Sequence, residues 1–219
     1  MQLFPLQKIS LPLTDSSNGH LTFWPDWLDN ERADACLRTA IDSVSWQADN
    51  ITIFGKSIPV PRLHSWYCEP LIPYEWSGIK MRANPFPQWL DHLRLRVQSE
   101  TGCKFNSCLA NYYRTGMDSV DWHADDEEIL GDKPIVASIS LGAARIFQLR
   151  HRLTKQRFDL KLPHGSLSMM GPGVQQYWQH RVPKCKSLGE SRVNFTFRRV
   201  QVQCTPELPT FPSPEWGSL

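Results

Sequence analysis

The spacing of apolar residues changes from a helical period to a strand period along the chain. Residues 29–44 place apolar side chains at helical spacing, and Asp29 or Asn30 can cap the helix that this predicts. A second helix is predicted from about residue 87 to 101, ended by Gly102. The segment between the two helices is rich in proline and predicts only short strands, at 51–54 and 63–67.

From residue 109 onward, polar and apolar residues alternate with the period of two that predicts β-strands. The predicted strands cover residues 135–141, 144–151, 158–162, 166–170, 177–182 and 193–202. Many short strands of this kind after helices are typical of two stacked antiparallel sheets. We therefore predict a mainly β fold with supporting helices: a double-stranded β-helix (jelly roll) with N-terminal helices.

Composition excludes several classes of protein. The chain has 219 residues, enough for one domain with a sizeable core, and its net charge of +2 creates no strong global field. Its six cysteines form no C-x-x-C pair, which argues against a zinc ribbon and a disulfide framework. No signal-peptide pattern and no membrane-spanning run is visible. We expect a protein that is not secreted, contacts no membrane, and lies in the cytoplasm, or in the nucleus of a eukaryote.

Charge is nevertheless distributed unevenly. A basic cluster lies within residues 145–161, directly after an acidic segment at 118–132. The cluster consists of Arg145, Arg150, Arg152, Lys155, Arg157 and Lys161, with Asp159 as its single acid. Such a cluster is either a nucleic-acid contact or the solvated surface of a hairpin, and composition leaves both open.

One constellation carries a specific chemistry. His123 and Asp125 stand two residues apart, and His180 follows far downstream. Two imidazoles and one carboxylate on three corners of an ion leave positions open for O₂ and a cosubstrate, as in the facial triad of non-haem Fe(II) oxygenases. An extended segment would point His123 and Asp125 to the same side. The pattern alone is weak, because many H-x-D sequences arise by chance.

Residues 192–198 alternate between polar and apolar side chains, which predicts a β-strand with one polar and one apolar face. Val193, Phe195 and Phe197 alternate with Arg192, Asn194, Thr196 and Arg198. A solvated polar face is one interpretation. The other is a diacid site: the two arginines lie about 20 Å apart along a strand, and a short dicarboxylate between them can be met by one long side chain from each end. Arginine suits this task because its planar fork pairs bidentately with carboxylate.

Together these blocks resemble the catalytic core of the AlkB family of Fe(II)/2-oxoglutarate dioxygenases. The resemblance rests on Asn111-Tyr112-Tyr113-Arg114, His123 to Glu127, Ala137 to Gly142, His164-Gly165-Ser166-Leu167, His180 and Arg192 to Arg198. Upstream it continues in Ile53-Phe54-Gly55-Lys56, Pro61-Arg62 and Tyr74-Glu75-Trp76-Ser77-Gly78, which are similar to the branch that repairs double-stranded DNA. Six core blocks in the right order make a chance match very improbable.

The resemblance implies a set of cofactors and the residues that hold them. Fe(II) would be bound by His123, Asp125 and His180. 2-Oxoglutarate would be held by Arg192 and Arg198 with hydrogen bonds from Asn111 and Tyr113, while Asn194 and Thr196 would support the site and Asn194 would order the arginines or Asp125. With O₂, enzymes of the family hydroxylate an N-methyl group on a base, and the hydroxylated methyl group leaves as formaldehyde. In the same reaction 2-oxoglutarate is converted to succinate and CO₂. The metal and cosubstrate carry the hard chemistry.

The resemblance also implies how DNA is engaged. A base must be flipped out of the duplex to reach the metal. Trp76 would stack on that base, and Tyr74 and Asp126 would contact it; a core position is the alternative for Trp76. Phe54 would wedge into the stack, with Gly55 in a tight turn and Lys56 on a phosphate; an ordinary hairpin with a buried Phe54 is the alternative.

The predicted organisation has four segments in one catalytic domain. They are an irregular N-terminal arm at 1–20, helical support with a nucleotide-recognition lid at 21–108, the jelly-roll core at 109–202 and a loose tail at 203–219. The expected protein is a monomer that demethylates 1-methyladenine and 3-methylcytosine in alkylated DNA, duplex or single-stranded. Alternatives are an AlkB-type oxygenase acting on RNA or protein, and a catalytically silent jelly-roll binding module.

Overall fold

The computed structural model describes residues 6–14, 16–53, 55–76 and 78–201, with only the backbone of Ile53 and Trp76. Its helices are α1 (Asn30–Ser43), α2 (Gln88–Thr101) and the single turn α3 (Val174–Tyr177). Its strands are β1 (Gln7–Thr14), β2 (Ser17–Trp24), β3 (Asn50–Ile53), β4 (Lys56–Pro59), β5 (Leu63–Cys68), β6 (Tyr74–Trp76), β7 (Ile79–Met81), β8 (Ser107–Tyr113), β9 (Val120–His123), β10 (Val136–Gly142), β11 (Arg145–His151), β12 (Arg157–Leu162), β13 (Ser166–Met170), β14 (Trp178–Val182) and β15 (Arg192–Arg198).

Two antiparallel sheets form the body of the molecule. The larger sheet has the strand order β1-β2-β13-β10-β15-β8-β5, and the smaller has the order β12-β11-β14-β9. Apolar side chains from both sheets meet in one buried cluster, where Leu21 and Phe23 of the larger sheet join Phe147 and Leu149 of the smaller. This double-sheet sandwich confirms the predicted jelly roll.

The two long helices lie against the outer face of the larger sheet. Buried residues of α1 and α2, such as Ala40 and Leu90, share a second cluster with Phe195 and Phe197 of β15. α1 begins as predicted, since the side chain of Asp29 accepts a hydrogen bond from the Arg32 N–H at 2.8 Å. α2 ends as predicted at Gly102, whose φ of 69° lies in the left-handed region. Within the described ranges, no helix combines the length and apolar character that a membrane crossing needs.

The described part of residues 1–20 is not an irregular arm, and that prediction is wrong. β1 and β2 form a hairpin that extends the larger sheet through β13. Ile9, Leu11 and Leu13 alternate along β1 and pack into the cluster between the sheets. Pro12 is tolerated because β1 is the edge strand, where a missing N–H removes no ladder bond on the open side. The predicted tail at 203–219 lies outside the described residues.

Two small hairpins stand apart from the main sheets. β3 pairs with β4 so that Ile53 faces Lys56, and β6 pairs with β7 so that Trp76 faces Ile79. Each turn carries a glycine with positive φ, Gly55 at 74° and Gly78 at 80°. Sequence predicted strands only at 51–54 and 63–67 here, and β4, β6 and β7 were missed. All four residues of β4 are exposed.

β15 is the strand that links the fold to the site. It lies between β10 and β8, and all seven of its residues are buried. Its apolar positions face the helices, so its polar positions face the space between the two sheets. The strand therefore brings charged side chains into the interior of the sandwich.

Candidate metal and cosubstrate site

One cavity between the sheets collects most of the predicted site residues. Its lining from the larger sheet includes Arg192, Asn194, Thr196 and Arg198 of β15, with Asn111 and Tyr113 of the neighbouring β8. Register explains the grouping, because Arg192 lies opposite Tyr113 and Asn194 lies opposite Asn111. From the smaller sheet side come His123, Asp125 and His180. The sandwich thus encloses a polar cavity that is lined by two arginines and three potential metal ligands.

The three potential ligands converge on one point. His123 of β9 and His180 of β14 lie directly opposite each other in the ladder, with ring centroids 4.2 Å apart. Asp125 lies beyond the end of β9, in a bend, so the expected strand geometry stops at His123. One ligand atom from each of the three residues lies within 4.8 Å of the others. This is a donor set that a single ion can share.

Protonation states suit the three residues to metal binding. Burial, with the neighbouring His123, lowers the pKa of His180 to about 3. Burial also lowers the pKa of His123. Burial raises the pKa of Asp125, but the Arg198 guanidinium and the two nearby imidazoles outweigh it and leave this pKa at about 2. At neutral pH the imidazoles are neutral and the carboxylate is ionised, as ligation requires.

Hydrogen bonds fix two of the ligands from behind. The His123 Nδ1 lies 2.7 Å from the Asp121 carbonyl oxygen, which can only accept, so Nδ1 donates and Nε2 keeps the lone pair for a metal. The Arg198 Nη2 donates to Asp125 Oδ1 at 2.6 Å, and both side chains are almost fully buried. Burial lowers the pKa of Arg198, but the Asp125 carboxylate outweighs burial and leaves this pKa raised.

A family match identifies the class of protein that carries this cavity. The model of the 2OG-Fe(II) oxygenase superfamily matches residues 20–198. The chain belongs to this superfamily. The two histidines, the aspartate and both arginines of this oxygenase lie inside the matched range.

Individual relatives narrow the family further. "Alpha-ketoglutarate-dependent dioxygenase alkB homolog 3" of Rattus norvegicus is 38% identical over 202 residues, which are 87% of this chain and 67% of the relative. "DNA oxidative demethylase ALKBH2" of Mus musculus is 37% identical over 158 residues, 68% of this chain and 66% of the relative. The chain thus spans about two thirds of the length of these relatives. This oxygenase is an AlkB-family enzyme whose cofactors are Fe(II), 2-oxoglutarate and O₂.

A solved structure bears on the fold alone. "The structure of OsALKBH1" superposes with a TM-score of 0.56 at 15% identity, covering 82% of this chain and 97% of that chain. The likeness supports the jelly-roll architecture independently of the sequence matches.

The residues of this oxygenase fit both groups that the family requires. Two imidazoles and a carboxylate are the donors of a non-haem Fe(II) site. Arg192 and Arg198 are buried, and among the described residues no acceptor meets the Nε and Nη1 atoms of either guanidinium. Buried guanidinium N–H groups without protein acceptors are the donors that a carboxylate pairs with. The chemistry of the cavity therefore agrees with Fe(II) and a dicarboxylate.

The other partners of Arg192 distinguish it from Arg198. Its Nη2 donates to Ser140 Oγ at 2.8 Å, and its guanidinium carbon lies 5.1 Å from the centre of the Tyr113 ring. Burial lowers the pKa of Arg192. Asp125 thus lies beside Arg198, while Arg192 is held by a neutral hydroxyl and an aromatic ring.

Asn194 does not support the arginines or Asp125 directly, which corrects the sequence prediction. Its Nδ2 donates to Ser138 Oγ at 2.5 Å and to the Ile139 carbonyl at 3.0 Å. Thr196 Oγ1 donates to Asn194 Oδ1 at 2.8 Å. These bonds tie β15 to β10, because amide and hydroxyl groups buried in the cavity wall require partners.

The residues predicted to contact DNA lie in different environments. Lys56 and Asp126 are exposed, and Asp126 forms an ion pair with Arg152 at 2.5 Å. Tyr74 is only 2% exposed and stacks on Trp66 with ring centroids 4.6 Å apart, so its ring belongs to a core cluster. Gly55 lies in the β3–β4 turn, and Phe54 and the Trp76 side chain lie outside the described residues. The DNA contacts stay predictions.

Arg62 and Glu127 are among the residues near the site that were missed from sequence. Arg62 lines the cavity, and its Nε donates to Asn111 Oδ1 at 2.8 Å. Glu127 lies near Arg198 and Tyr74, and burial raises the pKa of this carboxyl. Arg62 had only a short Pro-Arg signal, and Glu127 stands inside an acidic run whose charges look alike in sequence.

Proposed function

We propose that this oxygenase repairs alkylated DNA by removing methyl groups from 1-methyladenine and 3-methylcytosine. The observation that carries the proposal is the cavity in which two imidazoles, one carboxylate and two buried arginines converge. Similarity to a relative named "DNA oxidative demethylase" supports DNA as the substrate class. The exposed Gly55-Lys56 turn supports contact with a duplex.

Each residue has a separate task in this proposal. His123, Asp125 and His180 hold Fe(II), and Arg192 and Arg198 hold the carboxylates of 2-oxoglutarate. Asn111 and Tyr113 donate hydrogen bonds to the cosubstrate. Bound Fe(II) supplies, with O₂ and 2-oxoglutarate, the oxidising power that hydroxylates the methyl group. The buried walls exclude water from the reacting atoms.

The side chains proposed to contact the substrate come from the β3–β4 hairpin, the β6–β7 hairpin and Asp126. Trp76 stacks on the flipped base, Tyr74 and Asp126 contact it, and Phe54 fills the space that the base leaves. Lys56 contacts a phosphate. The side chains that hold the cofactors are thus separate from those that select the base.

A single assay tests the proposed activity. Formaldehyde and succinate are measured with one oligonucleotide carrying 1-methyladenine or 3-methylcytosine, offered as single-stranded DNA, duplex DNA and the RNA of the same sequence. Turnover of either DNA form above RNA supports the proposal. Turnover of RNA alone contradicts it in favour of an RNA demethylase, and 2-oxoglutarate turnover only with a protein substrate contradicts it equally. A monomeric state and a cytoplasmic or nuclear compartment stay predictions.

A further inference from the structure

Asp125 is the one member of the donor set that no strand holds. His123 and His180 are paired across β9 and β14, so the ladder fixes both. β9 ends at His123, and Asp125 follows in a bend. A second carboxylate, Asp126, comes directly after it. Something outside the ladder must therefore fix this bend and determine which of the two carboxylates faces the ion.

Gln175 meets the backbone of the bend. Its Oε1 accepts the Asp125 N–H at 3.0 Å, and Gln175 is 0% exposed. A buried N–H without a ladder partner requires such an acceptor. Gln175 lies in α3, whose last residue is followed directly by β14. One side chain thus joins the bend that carries Asp125 to the strand that carries His180.

Arg152 meets the neighbouring carboxylate. Its Nη2 donates to Asp126 Oδ2 at 2.5 Å and to the Gln175 carbonyl at 3.3 Å, while its backbone N–H donates to the Tyr177 carbonyl at 2.8 Å. Asp126 is exposed and turned to this guanidinium, whereas Asp125 is buried beside Arg198. The two consecutive carboxylates therefore have separate cationic partners.

We propose that Gln175 and Arg152 form a two-point clamp that presents Asp125, and not Asp126, to the metal. Gln175 fixes the backbone of the bend, and Arg152 keeps the second carboxylate away from the ion. Both are positioning residues, since the Gln175 Oε1 is occupied by the Asp125 N–H and a guanidinium has only N–H donors and no lone pair to offer a metal. Groups behind metal ligands commonly set ligand orientation, and their loss typically weakens metal binding by about 10- to 100-fold. The proposal rests on the metal site of the proposed function.

The first experiment isolates Gln175. Gln175→Met keeps the side-chain length and removes the acceptor, and Gln176→Met is the matched control on the exposed side of the same turn. Fe(II) affinity is measured by anaerobic equilibrium dialysis, and the visible spectrum of the Co(II)-saturated protein reports ligand geometry. We expect Fe(II) affinity to fall about tenfold or more, with an altered Co(II) spectrum. Control-like Fe(II) affinity, or a wild-type Co(II) spectrum at saturation, overturns the role of Gln175.

The second experiment isolates Arg152. Arg152→Met frees Asp126, and we expect the Co(II) spectrum to change because two carboxylates then compete for the ion. Arg152→Met combined with Asp126→Asn should restore the wild-type spectrum, since the competitor is gone. A spectrum that the second substitution does not restore overturns the role of Arg152. His180→Ala distinguishes failure of the positioning proposal from failure of the proposed metal site. If His180→Ala binds Fe(II) normally, the metal site itself is wrong. If His180→Ala loses Fe(II) and Gln175→Met binds it normally, only the positioning role of Gln175 is wrong.

Discussion

At the residue scale, the donor set makes the sharpest prediction. His180→Ala, His123→Ala or Asp125→Ala should abolish Fe(II) binding and formaldehyde release, because two donors do not hold the ion against water. The metal-free fold should persist, since the cluster between the sheets is apolar and needs no ion. Iron content, formaldehyde and far-ultraviolet circular dichroism are measured. Gln179→Ala, one residue along β14, is the control, and full iron content in any donor variant contradicts the assignment.

The two arginines should respond differently to the same change. Arg192→Met and Arg198→Met should each raise half-saturation by 2-oxoglutarate roughly ten- to a hundredfold, because a hydrogen bond to a charged group contributes about 1.5–3 kcal/mol. Only Arg198→Met should also weaken Fe(II) binding, since Arg198, and not Arg192, hydrogen-bonds the Asp125 carboxylate. Both constants are measured beside Arg199→Met, an exposed neighbour. Unchanged half-saturation in both variants shows that the diacid binds elsewhere.

At the scale of elements, the β3–β4 hairpin carries the prediction on strand state. Phe54→Ala should slow repair of duplex DNA more than repair of a single strand, because only a duplex leaves a stacked gap when a base flips. The two rates are compared on one methylated oligonucleotide, free and annealed. Thr52→Ala, an exposed residue on the same hairpin, is the control. Equal slowing of both rates indicates that Phe54 stabilises the fold and does not wedge into DNA.

Elements with many regular positions could be predicted from sequence, whereas short or edge elements could not. α2 and β13 have the predicted limits within one residue, because caps and periodicity act locally. β1 was missed because Pro12 signals an irregular segment, although an edge strand accepts it. β4, β6 and β7 have too few residues to display a period.

The residues of the site also differ in how far the sequence could predict them. The donor set and the arginine strand could be predicted, because the H-x-D spacing and the alternation along residues 192–198 are visible in the sequence and are typical of a known kind of metal and diacid site. Arg62, Glu127 and Gln175 were not, because each acquires its role from a contact made across the fold, and no local pattern encodes such a contact.

At the scale of the whole molecule, the N-terminal hairpin is fastened to the smaller sheet. Trp178 Nε1 donates to the Pro12 carbonyl at 2.7 Å. Trp178→Phe should lower the free energy of unfolding by about 0.5–1.5 kcal/mol, the net contribution of one hydrogen bond, and should speed amide exchange in β2. Urea unfolding and hydrogen exchange measure the two effects. Trp89→Phe on α2 should leave exchange in β2 unchanged, and faster exchange there in both variants contradicts a local fastening.

The apolar face of β15 packs against the helices and its polar face lines the cavity. An error in the register of β15 would therefore affect stability and the site together. A slip of one residue against β8 and β10 would turn both arginines under the helices and bury two charges among apolar side chains. A misaligned chain therefore loses its stability together with its catalytic charges. Folded but inactive molecules from this error should not accumulate, so the specific activity per folded molecule should stay constant from one preparation to the next.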